Sequence, residues 1–407
     1  MNIFSLSNFI ASRWNASRAK KIIRIGTASI TLCFFVMTVS ICILSGFKTS
    51  LSNKVFGFGS HLQITPYLFQ NEEAGNNINI FKFDTNIQLL IEQNKNIKYF
   101  EPFLSQNGLL QGIEELFGVI FKGLSSNYNS EFFRSNLIKG VMPVYNDSVF
   151  SAQILISEKI ANRLDLQIDE RVKACFISGD SSDSELRPRS FTISGIYRTG
   201  LEKFDEYYVF CDKKHLARIN GLQNDDAESI EITLHNPADR FEVSEQLNSK
   251  LPYSLSSYTC DEIFPEIFDW LVLIDINVWV MLIIVLTVSL ISIVAILFIN
   301  VANRYEHSLL LVSLGARMSL IRAIFTQQTF FLLLKSMFYG NALALLLCAL
   351  QYFTHFISLD STVYFLDYVP TGFPIELLLA LNAVSIIIAY VLLIICSLVI
   401  KKARFLS

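Results

Sequence analysis

The sequence predicts an integral membrane protein with four transmembrane α-helices and a large α+β extracytoplasmic domain between helices 1 and 2. Three observations lead to this fold class. The chain has 407 residues, of which 52% are hydrophobic and only 17% charged, whereas a soluble domain averages about 25% charged residues. Four apolar runs reach the length of about 20 residues that a helix needs to cross a bilayer. A long stretch without such a run separates the first run from the second.

The N-terminal segment, residues 1–24, is basic and precedes the first apolar run, residues 25–46. The segment contains five Lys or Arg residues and no acidic residue. The apolar run is long for a secretory signal and lacks an A-x-A-like cleavage site, so we expect it to be retained as transmembrane helix 1. The positive-inside rule then places the N-terminus in the cytoplasm.

The pattern of residues 47–271 predicts an extracytoplasmic α+β domain with two lobes. Alternating apolar and polar residues at 61–65 and 228–235 predict β-strands. Ser157 is a predicted N-cap for a helix that follows it. The polar stretches 71–79 and 178–189 predict exposed loops.

Three further membrane helices follow in the C-terminal part of the chain. Lys and Arg residues occur in the connection between helices 2 and 3 and in the C-terminal tail. They are absent from the connection between helices 3 and 4. This pattern places both termini in the cytoplasm. The predicted segments are helix 2 at 272–301, a cytoplasmic segment at 302–318, helix 3 at 319–350, a periplasmic loop at 351–373, helix 4 at 374–400 and a tail at 401–407.

No catalytic or nucleotide-binding motif is visible in the sequence. It contains no G-x-x-x-x-G-K-[ST], H-E-x-x-H or G-x-S-x-G pattern, and its five histidines are dispersed. The net charge of −3 gives no indication of a nucleic-acid partner. The cysteines lack C-x-x-C spacing, which argues against a metal site, and a disulfide among Cys175, Cys211 and Cys260 stays open. We therefore expect a non-enzymatic chain without a cofactor of its own.

Two charged residues lie at or inside the predicted spans. Asp275 stands near the outer end of helix 2, and Lys335 lies within helix 3. Charged residues inside a membrane often mark a substrate path, so both are candidates for that role. The alternatives are an interfacial carboxylate for Asp275 and a side chain of Lys335 that reaches towards the cytoplasmic face.

Several short motifs, in this order and spacing, resemble the MacB/FtsX-like permeases of ABC transporters, and most closely their lipoprotein-releasing LolC/LolE type. The motifs lie in both the predicted spans and the predicted domain. They are Leu44-Ser-Gly-Phe47, residues 57–64 (GFGSHLQI), residues 188–200 (PRSFTISGIYRTG) with Phe204-Asp205, Phe268-Asp-Trp-Leu271, Ser313-Leu-Gly-Ala316 and residues 363–370 (VYFLDYVP).

The resemblance implies that segment 302–318 is a coupling helix that binds a cytoplasmic ATPase dimer, which alone binds ATP. His307 stands where the family usually has an acidic residue, and Val312 stands where it usually has a basic one. The coupling contact is therefore expected to differ in detail. The implied coupling residues are Arg304, Glu306, His307, Leu310, Leu311, Leu314, Gly315 and Ala316.

The resemblance also implies a function in the bacterial cytoplasmic membrane: release of lipoproteins towards the outer membrane by a dimer of this chain with itself or with a paralogue. The 178–189 stretch falls about where one family member carries a carrier-recruiting hairpin. The candidate residues for contact with a periplasmic lipoprotein carrier are Ser178, Asp180, Asp183, Glu185 and Pro188. The alternatives are MacB-like export of peptides or toxins, and an FtsX-like activator of a cell-wall hydrolase that transports nothing.

Overall fold

The computed structural model describes residues 20–67, 80–112, 115–126, 128, 130–146, 150–178, 185–223, 225–303, 310–359 and 366–403. The chain divides into two compact units. The helical unit comprises Met1–Ser50, Asp269–Leu359 and Tyr368–Ser407, and the sheet unit comprises Leu51–Phe268 and Asp360–Asp367.

The helices and strands alternate through the sheet unit, and long helices dominate the rest of the chain. The helices are α1 (Lys20–Gly59), α2 (Thr85–Glu92), α3 (Glu131–Ser135), α4 (Glu158–Leu164), α5 (Glu202–Tyr207), α6 (Lys213–Ile219), α7 (Arg240–Asn248), α8 (Cys260–Ile263), α9 (Pro265–Asn303), α10 (Met318–Thr354) and α11 (Ile375–Ala403). The strands are β1 (Leu62–Pro66), β2 (Phe81–Lys82), β3 (Ile97–Gln111), β4 (Leu116–Leu124), β5 (Leu137–Gly140), β6 (Gln153–Ser157), β7 (Arg171–Ser178), β8 (Glu185–Tyr197), β9 (Tyr208–Asp212), β10 (Asp226–Ala227), β11 (Ser229–Leu234) and β12 (Leu255–Thr259).

Among the described residues, four helices are long and apolar enough to cross a membrane: α1, α9, α10 and α11. The mixed helices and strands of the sheet unit lie in the chain between α1 and α9. The predicted fold class, one membrane helix followed by an α+β domain and three more membrane helices, is therefore confirmed.

Helix α1 extends beyond residue 46, the predicted end of the first span, and ends at Gly59. Hydropathy falls after residue 46, but the helical periodicity continues, because Leu51, Val55 and Phe58 follow one another at helical spacing. All three side chains are buried. The end of the apolar run therefore marks a change of surroundings rather than the end of the helix.

The core of the helical unit combines apolar packing with a chain of hydrogen bonds. Thr38 Oγ1 donates to Asn341 Oδ1 at 2.7 Å, and Asn341 Nδ2 donates to Asn382 Oδ1 at 2.9 Å, so that α1, α10 and α11 are joined. Apolar side chains of all four long helices pack together in this unit. They include Ile30 and Phe34 of α1, Ile293 and Leu297 of α9, Phe325 and Leu333 of α10, and Ala389 and Leu393 of α11.

The first lobe of the sheet unit is a closed ring of strands, here named the barrel lobe. Around the ring, β3 pairs with β4, β4 with β9, β9 with β6, β6 with β8, β8 with β7, and β7 with β3 again. The inward-facing side chains, among them Phe121, Phe176 and Phe191, form one apolar core. Closure leaves few strand edges for other chains to pair with.

The second lobe, here named the layered lobe, is an antiparallel sheet in the order β12-β1-β11-β3. Its core contains the isoleucines of β1 and β11 and apolar residues of α2 and α7, such as Ile87 and Val243. The long strand β3 belongs to both lobes, because residues 97–103 pair with β11 and residues 104–111 pair with β4. The expected two-lobed domain is thus built around one shared strand.

The predicted local elements of the sheet unit agree with the structure except at one loop. Ser157 Oγ accepts a hydrogen bond from the Ile160 N–H at 3.1 Å, which confirms Ser157 as an N-cap. The predicted loop 178–189 is wrong in part, because Ser178 pairs with Glu185 and the pairing continues to Ala174 and Arg189. The polar composition of this stretch hid the β-hairpin, since both strands carry charged residues. The predicted loop 71–79 lies outside the described residues.

Candidate functional site

The segment between α9 and α10 is only partly described. Arg304, Glu306 and His307, three of the predicted coupling residues, lie outside the described residues. Beyond this gap, residues 310–313 form a short helical turn. The side chains of Leu310 and Leu314 are 65% and 83% exposed. The described part of the segment therefore presents two large apolar side chains away from the rest of the unit.

The other face of the turn is anchored to the helical unit. Leu311 is half-buried and packs against the core formed by the four long helices. This position differs from that of Leu310 and Leu314, because the three residues do not share one face of the turn. In the structure Leu311 holds the turn in place, and its neighbours are left free to contact another molecule.

The turn ends in a defined hydrogen-bonding pattern at Gly315. The Gly315 N–H donates to the Val312 carbonyl at 2.9 Å, and the Ala316 N–H donates to the Leu311 carbonyl at 2.9 Å. These two bonds constitute a Schellman motif, and Gly315 adopts the required left-handed conformation with φ of +87°. A residue with a Cβ is strained there. The motif fixes the direction in which the chain enters α10.

Asp275, a candidate for the substrate path, forms an ion pair with Lys48. The distance from Lys48 Nζ to Asp275 Oδ2 is 2.7 Å. The pair joins α1 to α9 near an edge-to-face contact between the rings of Phe47 and Trp270, whose centroids are 5.7 Å apart. Because both charged side chains are partly exposed, the ion pair contributes little to stability. Asp275 therefore takes part in a contact that joins α1 to α9.

Lys335, the second substrate-path candidate, lies exposed in the middle of α10. Its Nζ is 5.9 Å from the centroid of the Tyr339 ring, one helical turn further along. Among the described residues Lys335 forms no ion pair. A cation–π contact of this kind offsets part of the free energy needed to hold a charge in apolar surroundings.

The carrier-contact candidates map to the β7–β8 hairpin. Ser178 and Glu185 form its last described pair of residues, and Pro188 is an exposed residue of β8 opposite Cys175. Asp180 and Asp183 lie outside the described residues. The structure therefore brings the described candidates to one end of a hairpin, and the three cysteines of the sheet unit, Cys175, Cys211 and Cys260, are free.

The motif at residues 197–205 forms a polar lock in the sheet unit. Asp205 accepts hydrogen bonds from the Thr199 N–H at 3.0 Å, the Thr199 hydroxyl at 2.8 Å and the Gly200 N–H at 2.9 Å. Lys54 of α1 donates to the Thr199 carbonyl at 2.7 Å. Burial raises the pKa of Asp205, although the hydrogen bonds act in the opposite direction. The lock ties the end of α1 to the barrel lobe.

Two other motifs meet in the helical unit. The chain after the 363–370 motif passes directly over Gly46 of α1, where an added Cβ would lie 2.6 Å from backbone atoms of residues 370–372. The Gly372 N–H donates to the Cys42 carbonyl at 2.8 Å. Gln351 holds the same loop through hydrogen bonds from its amide to the carbonyls of Ile357 and Val369. Only glycine permits this close approach at position 46.

The sheet unit contains a buried ion pair that the sequence motifs do not predict. Lys122 Nζ of β4 is 2.5 Å from Glu231 Oε1 of β11, and both side chains are almost inaccessible to solvent. Burial raises the pKa of Glu231, while the neighbouring Lys122 ammonium acts in the opposite direction. The available signal was that each residue is the only charged residue of its otherwise uncharged strand.

No protein-family model and no curated protein matches this chain. Solved structures similar to part of it include the extracellular domain of the ABC-type transporter YknZ from Gram-positive bacteria, with 13% identity, a TM-score of 0.33, and coverage of 49% of this chain and 99% of that chain. The periplasmic region of MacB from Actinobacillus actinomycetemcomitans has 13% identity, a TM-score of 0.36, and coverage of 54% and 97%. A domain of a permease protein from Porphyromonas gingivalis has 13% identity, a TM-score of 0.25, and coverage of 49% and 86%. Likenesses of this size do not decide what the chain does.

Proposed function

We propose that this chain is the membrane subunit of an ABC transporter that releases lipoproteins from the bacterial cytoplasmic membrane towards the outer membrane. A separate cytoplasmic ATPase dimer supplies the energy. The sheet unit lies in the periplasm, both termini lie in the cytoplasm, and the working unit is a dimer of this chain with itself or with a paralogue.

The observation that carries this proposal is the anchored turn between α9 and α10. Leu310 and Leu314 are exposed apolar residues, and contact with a groove on a partner protein removes their surface from water. Leu311 packs on the core of the four long helices, and the hydrogen bonds at Gly315 fix the end of the turn before the chain enters α10. A push on the turn is therefore passed through Leu311 to the core of the helical unit.

Lipoproteins, as opposed to another substrate, are favoured by the motifs at residues 57–64 and 363–370, which resemble those of the lipoprotein-releasing type. Two residues of the other motifs have defined packing roles: Gly46 admits the loop at 370–372, and Asp205 holds Thr199, whose carbonyl accepts a hydrogen bond from Lys54 of α1. The β7–β8 hairpin is the proposed contact for a soluble lipoprotein carrier.

The proposal is tested by depleting the protein and complementing the cells with variants. We expect depletion to leave mature lipoproteins in the inner membrane, and wild-type protein to restore their transfer. Leu314→Asp should lower transfer about tenfold or more at unchanged protein level, because a charge replaces a central apolar contact. Val144→Asp, at an equally apolar and exposed position of the sheet unit, is the matched control and should complement fully.

Two results would contradict the proposal. An unchanged distribution of lipoproteins after depletion removes lipoprotein release as the main function and favours export of peptides or control of a cell-wall hydrolase. Full complementation by Leu314→Asp removes the turn as the coupling surface, and it leaves lipoprotein release itself untouched.

A further inference from the structure

The sheet unit contains a partly open cavity of about 330 Å³ next to the buried Lys122–Glu231 pair. Residues from the end of α1, from both lobes and from α8 line it. The volume is in the range of small-molecule sites. Its polar lining includes Lys122, Glu228 and Glu231, and its aromatic lining includes Phe103 and Tyr258.

Glu231 is the decisive residue of this cavity, because half of its carboxylate has no partner. Its Oε1 accepts hydrogen bonds from Lys122 Nζ at 2.5 Å and from Gln63 Nε2 at 3.3 Å. Its Oε2 is buried and has no hydrogen-bond partner among the described residues. A buried carboxylate oxygen without a donor destabilises the fold. A ligand in the cavity that donates a hydrogen bond to Glu231 Oε2 would remove this energetic cost.

The charged groups around the cavity favour one sign of charge on such a ligand. The lining contains the carboxylates of Glu228, Glu231 and Glu262 but only one ammonium group, that of Lys122. Glu228 accepts from the Ser105 N–H and hydroxyl at 2.6 Å, which fixes it in place. Burial raises the pKa of Glu228 and of Glu231, and a cation placed among these carboxyl groups would favour their charged forms. The excess of carboxyl groups over ammonium groups therefore favours a cation as the ligand.

The aromatic wall is suited to an organic cation. Lys122 Nζ already lies 4.6 Å from the centroid of the Phe103 ring and 5.4 Å from that of Phe58, so these faces accept an ammonium group. Within the described part of the chain, no group of three His, Cys, Asp or Glu residues could hold a metal ion. An ammonium group with N–H donors combines the required charge, hydrogen bonds and contact with aromatic faces.

We propose that this cavity binds a small soluble amine through its primary alkylammonium group, with Glu231 Oε2 as the main acceptor. The inference does not depend on the function proposed above. The site also has a structural consequence, because Phe58 and Gly59 at the end of α1 line it together with Phe264, which directly precedes α9. The Phe264 ring lies against Gly59. A bound amine therefore contacts, and stabilises, the place where these two chain segments meet.

The test is calorimetric titration of the full-length protein in phosphatidylcholine nanodiscs with cadaverine. We expect saturable binding of cadaverine and no binding of 1-pentanol, which has a similar length but no charge. Glu231→Gln keeps the shape of the side chain and should weaken cadaverine binding by about tenfold to hundredfold, the loss of one charge-assisted hydrogen bond. Glu245→Gln, on the exposed face of α7, is the matched control and should bind as the wild type does.

Absence of saturable binding to the wild type overturns the proposal. Unchanged affinity in a folded Glu231→Gln variant overturns it equally, as does equal binding of 1-pentanol, which would indicate an apolar cavity only. If Glu231→Gln does not yield a monodisperse protein, Glu228→Gln removes one carboxylate from the same lining, and unchanged affinity there overturns the selection of a cation by the charge of the cavity. Nanodiscs that contain phosphatidylethanolamine distinguish the source of the amine, because competition by this lipid would assign the site to a headgroup and not to a soluble ligand.

Discussion

The helical unit and the sheet unit are held together by different forces. The sheet unit buries an aromatic cluster. The centroids of the stacked Phe58 and Phe204 rings are 3.8 Å apart, and those of the Phe133 and Phe210 rings are 4.4 Å apart. The helical unit relies on close backbone contact at Gly46 and on the hydrogen bonds of Asn341. Both units contain many apolar residues, so composition alone does not explain this difference.

The difference between the two units follows from what surrounds them, which is water for the sheet unit and lipid for the helical unit. In water, removal of a phenylalanine side chain from solvent is strongly favourable. In lipid the same transfer gains little, because the acyl chains are as apolar as the side chain, and helices associate through tight packing and hydrogen bonds. Substitutions in the two units should therefore have effects of different size and different cause.

The largest effect is expected in the sheet unit from Phe58→Ala. Phe58 is buried and contacts several other aromatic rings, and truncation of such a residue costs about 3–5 kcal/mol of stability. Thermal unfolding followed by near-ultraviolet circular dichroism in one detergent measures the loss. Tyr253→Ala, at a fully exposed aromatic residue, is the control. Equal melting temperatures for the two variants would show that the aromatic cluster does not hold this unit together.

A pH-dependent effect follows from His61 of the sheet unit. Its Nδ1 accepts a hydrogen bond from the Leu234 N–H at 2.8 Å, and burial, with a smaller contribution from the Arg240 charge, lowers the pKa of His61 from 6.5 to about 4. The unfolded chain therefore binds a proton more readily than the folded chain. The stabilisation is complete above about pH 6.5 and is lost as the pH falls towards 4, by on the order of 3 kcal/mol.

The measurement is the stability of wild type and His61→Asn between pH 7 and pH 4, because asparagine can still accept the hydrogen bond but does not titrate. The buried carboxylates of Glu228 and Glu231 have raised pKa values and change stability in the opposite direction. Only the difference between the two proteins isolates the histidine. His235→Asn, at an exposed histidine, is the control, and parallel pH curves for wild type and His61→Asn would contradict the prediction.

A smaller effect is expected in the helical unit from Gly46→Leu. The added side chain meets backbone atoms of residues 370–372 that cannot rotate away, and overpacking of this kind costs about 1–3 kcal/mol. The apparent melting temperature of the helical unit measures it. Ala28→Leu introduces the same side chain at an exposed position of the same helix and should be neutral. A Gly46→Leu variant as stable as Ala28→Leu would show that close backbone contact at Gly46 does not stabilise the helical unit.

The smallest effect is expected from Asn341→Leu, which removes two hydrogen bonds between membrane helices. Such bonds contribute about 0.6 kcal/mol each on average, so a loss of about 1 kcal/mol is expected. Thr287→Val is the control, since the Thr287 hydroxyl donates only to the Ile283 carbonyl of its own helix. A loss as large as that of Phe58→Ala would reverse the ranking of the two units.

The sequence predicts the order of the elements well because hydropathy and periodicity are local properties. Four spans, the intervening α+β domain and the N-cap at Ser157 all depend on neighbouring residues. The full length of α1 was not predicted, because its last turns are buried by distant parts of the sheet unit. The β7–β8 hairpin was taken for a loop for a similar reason, since pairing between strands is not visible in their composition.

The candidate site also combines features that depend on neighbouring residues with features that depend on distant ones. Gly315 ends the turn through local chemistry, because glycine adopts the left-handed conformation at little cost. The difference between the exposed Leu310 and the half-buried Leu311 depends on the position of the four long helices. The pairing of Lys122 with Glu231 is equally non-local, because the two residues are far apart in sequence and meet only through the order of strands.

The shared strand β3 limits how this protein can be divided. Each lobe contains one half of this continuous strand. A chimera that exchanges the barrel lobe alone must therefore cut β3 between Phe103 and Leu104, and the cut leaves both lobes with an unpaired strand edge. Grafts between such proteins should therefore carry the whole stretch from Leu51 to Phe268 as one cassette. For the same reason, amide exchange in the two halves of β3 should report a single opening event.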